Sequence, residues 1–105
     1  MNHATDTLQL VLIAPRAVED ALLDALLAAQ PALGGFSTMR IDGHAEDFRR
    51  ASVRELVRGR IERTQFTLVL PAARAAQLLD ALGTQFKGAG LHWWTTPIND
   101  HGRLA

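Results

Sequence analysis

The chain predicts an α+β fold with ferredoxin-like order, a βαββαβ sandwich in which an antiparallel four-stranded sheet carries both helices on one face. Three observations lead there. Two stretches, each entered through a proline, repeat apolar residues at three and four. Four short stretches are continuously apolar or alternate with period two. Their order along the chain is β-α-β-β-α-β, and right-handed crossovers turn that order into a split βαβ sheet.

The first strand is Leu8 to Ala14, apolar and ended by Pro15. The run "RAVEDALLDALLAAQP" then changes period. Val18, Leu22, Ala25, Leu26 and Ala29 make one stripe, Glu19 and Asp20 occupy the first turn where the helix dipole favours anions, and Pro31 stops the run. "GGFSTMRIDG" is the second strand, with Phe36, Thr38 and Arg40 opposite Ser37, Met39 and Ile41. Ile61 to Leu70 is the third, Thr64, Phe66, Leu68 and Leu70 facing one way and Arg63, Gln65, Thr67 and Val69 the other. Pro71 opens a second helix whose stripe is Ala75, Leu78, Leu79, Leu82 and Phe86. After "KGAG", the stretch "LHWWTTPI" is the last strand, with Leu91, Trp93 and Thr95 against His92, Trp94 and Thr96.

With helices on one face only, Val11, Ile13, Val69 and one tryptophan fall on the other, and an apolar sheet face left bare marks an interface. A homo-oligomer is expected. At 105 residues and 48% hydrophobic content the chain reads as one domain, 1–105. The formal net charge of zero argues against nucleic acid and against an anionic membrane surface. The absence of cysteine removes disulfides, a thiol nucleophile and thiolate metal sites. The opening residues lack a basic leader, and the first apolar run is too short to span a bilayer, so a cytoplasmic protein without membrane insertion is expected.

The departure from regularity is "IDGHAEDFRRASVRELVRGRI". Seven of the eleven basic residues, among them Arg49, Arg50, Arg54, Arg58 and Arg60, fall between positions 40 and 63, with five acids interspersed. Ser52 and Glu55 have capping-box spacing, which predicts a helical turn over Val53 to Arg58 ended by Gly59, after an aperiodic loop from Gly43 to Ala51. Such an arm is either a self-paired solvated surface or an anion and partner contact, because guanidinium groups hold phosphate and carboxylate bidentately.

Chemistry beyond that is thin. His44 lies near Glu46 and Asp47, and His92 and His101 near Asp100, but no histidine pair has the spacing of a strong metal site. Ser37 and Ser52 lack a neighbouring histidine and an elbow motif, so no enzyme is expected. Consecutive strand residues point to opposite faces, so of Trp93 and Trp94 one belongs under the helices and the other on the open face. The pair reads as core plus interface rather than as a base-stacking platform.

"LVLIAPRAVEDALLDALL", "RTQFTLVLPAARAAQLLDAL" and "GAGLHWWTTPI" resemble a P-II-like signalling protein over nearly the whole chain. More narrowly, "DGH", "SVRELVRGR", "WWTTPI" and the terminal "GRL" resemble a small P-II-like proteobacterial family of unknown function, often encoded beside heavy-metal efflux pumps. The fold is similar to that of CutA-type cation-tolerance proteins. The resemblance implies a trimer with its open faces packed together and a T-loop-like arm at about 43–60. It also implies an adenine nucleotide between subunits, held by a Thr-Gly-Lys-x-Gly-x-Gly-Lys loop. In the matching segment "TQFKGAGL", Thr84, Gly88 and Gly90 fit, whereas Gln85, Phe86 and Leu91 replace the glycine and both lysines, with Lys87 one position away. The fixed charges are mostly gone, which argues against nucleotide binding of the P-II kind, and a chain without tyrosine has no uridylylation site.

The expected function is therefore a trimeric regulator that senses a small ligand at the subunit cleft. Its candidate anion contacts are Arg58, Gly59, Arg60, Thr84, Lys87, Gly88, Gly90 and Arg103, and its partner-binding arm carries His44, Arg49, Arg50 and Arg54 toward a protein such as a membrane transporter. The alternative is a divalent-metal protein using His44, His92 or His101 with carboxylates.

Overall fold

The computed structural model describes residues 6–44 and 61–105. Within them the chain forms β1 (Thr7–Pro15), a 3-10 turn (Arg16–Val18), α1 (Glu19–Ala28), β2 (Phe36–Gly43), β3 (Ile61–Pro71), α2 (Ala72–Gln85) and β4 (His92–Pro97). The helical turn expected over Val53 to Arg58 lies outside the described residues.

The sheet has the order β2-β3-β1-β4 with every neighbouring pair antiparallel. β1 and β3 are thus central, and the α+β ferredoxin-like arrangement is present. The register pairs Leu12 with Phe66 on one side and with Trp93 on the other, and pairs Phe36 with Leu68. Paired residues share a face, so Leu10, Leu12, Ala14, Phe66, Leu68 and Leu70 all turn toward the helices and are buried. Against them α1 contributes Leu22 and Leu26, and α2 contributes Ala75, Leu78 and Leu82. Burying each large apolar side chain stabilises the fold by about 1.5–3 kcal/mol, so this single layer carries it.

The helix ends follow from local chemistry. Glu19 and Asp20 stand in the first turn of α1. α2 begins directly after Pro71, whose extended backbone ends β3. At its far end the Phe86 N–H reaches the Leu82 carbonyl at 2.8 Å, and Gly88 (φ 76°) and Gly90 (φ 82°) then take left-handed backbone conformations that turn the chain into β4.

The open face is narrower in exposed apolar surface than its strand pattern predicts. Val11 and Ile13 are buried although no helix among the described residues covers them: Val11 lies between Thr67 and Trp94 and Ile13 between Gln65 and His92. What remains exposed is Val69 (42%), Trp94 (48%) and Met39 (55%).

Candidate ligand cleft and the root of the arm

α2 packs over β3 and β1 and stops short of the edge strand β4. Trp93, on the helix side of β4, is therefore 55% exposed, although its ladder partner Leu12 is buried. A cleft of about 290 Å³ results. Leu12 and Trp93 form one side, Leu79, Leu82, Gly83 and Phe86 of α2 the other, and the turn Lys87, Gly88, Gly90 and Leu91 closes its end. Three residues named from the sequence as ligand contacts, Lys87, Gly88 and Gly90, thus come together on one cavity.

The others separate. The Thr84 hydroxyl turns back to the Asp80 carbonyl at 3.3 Å, as a helix-interior threonine often does. Arg103 stands exposed in the C-terminal segment. Arg49, Arg50, Arg54, Arg58, Gly59 and Arg60 lie outside the described residues. His44 is exposed after β2, His92 is exposed on the open face, and His101 is exposed near the C-terminus. Among the described residues no three histidines or carboxylates gather as a metal site would require.

Where the chain leaves and rejoins the sheet, the structure assembles a group that sequence spacing did not disclose. Thr64, fully buried, donates its hydroxyl proton to Glu19 Oε1. The other Glu19 oxygen faces Arg40 Nη2 at 3.7 Å. Arg16 donates from Nη2 to the Arg63 carbonyl at 3.4 Å and faces Glu62 with Nη1 at 3.9 Å. These residues are brought together by the pairing of Arg40 with Thr64 and of Pro15 with Arg63. The start of α1 is thereby tied to the strands that carry the arm. Thr64→Val is expected to destabilise the fold by about 1.5–3 kcal/mol, the range for a hydrogen bond to a charged group, with Thr64→Ser losing much less. Urea unfolding of the pair checks this, and a valine variant as stable as the parent would mean that the hydroxyl contributes nothing.

No helix among the described residues is long and apolar enough to cross a membrane. No curated protein matches the sequence. The profile of a family described as a protein of unknown function, DUF3240, matches residues 4–105. Among solved structures, a DUF3240 family protein from Shewanella baltica is 31% identical, covers 95% of this chain and 98% of its own, and superposes with a TM-score of 0.76. CPII, a nitrogen regulatory PII-like protein from Thiomonas intermedia solved with ADP, AMP and bicarbonate, is 14% identical over 93% of this chain and 96% of its own, with a TM-score of 0.69. A Bacillus cereus protein related to NIF3 is 13% identical, with a TM-score of 0.64 over 92% of this chain and 26% of its own. The second and third likenesses are of fold. On the profile match and the Shewanella relative, the chain belongs to the DUF3240 family, whose function is unknown and whose fold is P-II-like.

Proposed function

We propose that the chain is a regulatory protein that senses a small ligand in the cleft at the end of α2 and reports it to a protein partner through the 43–60 arm, as a homotrimer joined at the open sheet faces. The observation that carries the reading is the convergence of Lys87, Gly88 and Gly90 on one cavity beside an uncovered tryptophan. Concave sites lined by apolar groups with a few polar ones are where small molecules bind. The PII-like protein of the same fold was solved with ADP, AMP and bicarbonate bound, which supports looking for an anion here. Met39, Val69 and Trp94 on a sheet face without helices support self-association, since such a face is stabilised by covering it.

The mechanism is population shift. A ligand that binds one arrangement of the arm better than another raises the population of that arrangement, and the partner reads it. The group Arg16, Glu19, Arg40, Glu62 and Thr64 ties together the strands on either side of the arm and the start of α1.

The test is thermal unfolding of the purified protein with adenine nucleotides, bicarbonate, small organic carboxylates, and zinc, copper, cobalt or nickel salts, alongside its mass in solution. A ligand of the folded trimer at a hundredfold excess over its Kd is expected to stabilise it by about 2.7 kcal/mol. A monomeric mass with no response to any anion would overturn the reading. A response to the metal salts alone, abolished by replacing His44, His92 and His101 with alanine, would move the function to metal binding.

A further inference from the structure

The chemistry of the cleft says more about its ligand than the fold does, and the ligand class it selects rests on the reading that the cleft is the sensing site. Six of the residues around it, Leu12, Leu79, Leu82, Phe86, Leu91 and Trp93, are apolar, and among the described residues that line it Lys87 is the one that carries a charge. The turn that closes the cleft has already committed two amides. The Phe86 N–H is bonded to Leu82 and the Ala89 N–H to the Phe86 carbonyl at 3.0 Å. A polyphosphate needs several fixed positive charges or a full ring of amide donors, because each unpaired anionic oxygen brought against apolar walls loses its hydration. One lysine beside an apolar slot meets instead the needs of a molecule with one charge and a hydrophobic body.

We infer that the cleft binds an amphipathic monocarboxylate, an aliphatic chain or aromatic ring laid between Trp93 and the last turns of α2 with its carboxylate toward Lys87. The volume of about 290 Å³ is at the lower end for ligand pockets and suits a body of that kind. A ligand there covers the face of Trp93 that the described residues leave exposed.

The experiment is isothermal titration calorimetry of the full chain with decanoate, 1-naphthoate, 1-decanol and ADP. Gly83→Leu serves as the cleft-filling variant. Gly83 lines the cleft, a Cβ there meets nothing within 4 Å, and leucine is the better helix former, so the variant keeps its fold with a thermal midpoint no lower than the parent's. Both carboxylates are expected to bind at least tenfold more tightly than ADP. Gly83→Leu is expected to weaken them at least tenfold, and Lys87→Gln to weaken them about fivefold while leaving decanol unchanged, as an exposed ion pair dictates. ADP binding more tightly than either carboxylate, and lost in Gly83→Leu, would overturn the ligand class and leave the sensing site standing. Carboxylate binding that Gly83→Leu leaves intact would overturn the cleft as the site. Absence of binding by all four probes would overturn this inference, while a response to bicarbonate in the thermal series would still uphold the sensor.

Discussion

Phe66→Ala is expected to lower the unfolding free energy by about 3–5 kcal/mol, the largest loss of any single truncation in the fold. Phe66 is fully buried at the middle of a central strand, paired with Leu12 on one side and Thr38 on the other. Its ring centroid stands 6.4 Å from that of Phe36, tilted by 39°. Removing the ring opens a cavity between sheet and helices that the flanking strands cannot close, since both are held in register by the ladder. Denaturant unfolding at fixed protein concentration measures the loss, with Leu27→Ala on the exposed face of α1 as a control expected to change stability by no more than about 0.5 kcal/mol. A loss below about 1 kcal/mol for Phe66→Ala would mean that the site collapses freely, against the packing described.

The second large effect is on assembly. Val69→Asp with Trp94→Asp is expected to reduce a trimeric mass to that of a monomer. Both residues are about half exposed in the single chain, so the substitutions cost the monomer little, but in a packed interface each carboxylate would be buried without a partner. Light scattering on parent and double variant reads the result. A parent already monomeric at working concentration, or a double variant that keeps its mass, would remove the open face as the interface.

Much of the fold was legible from the order of residues, for a physical reason that differs by element. The alternation Thr64, Phe66, Leu68, Leu70 marks a strand and names its buried face, because strand side chains alternate sides whatever the strand pairs with. The stripe Ala75, Leu78, Leu82 does the same for α2. Two prolines, Pro15 and Pro71, end strands and admit helices because their fixed backbone suits both events. Lys87, Gly88 and Gly90 could be named as a turn because "KGAG" can form little else.

The candidate site was legible only in that turn. Leu12, Leu79 and Trp93 read from the sequence as core and interface, Glu19 as a first-turn acid of the helix, and Arg16 and Glu62 carry no signal of their own. Local period assigned each element, its buried stripe and one glycine turn. Tertiary structure alone decided that α2 stops short of β4, so that Trp93 opens a cleft in place of completing a core. It also decided that Thr64, Glu19 and Arg40 meet at the root of the arm. Both outcomes depend on strand register and helix placement across more than forty residues of chain, set by the packing of the whole sheet rather than by any neighbouring residue.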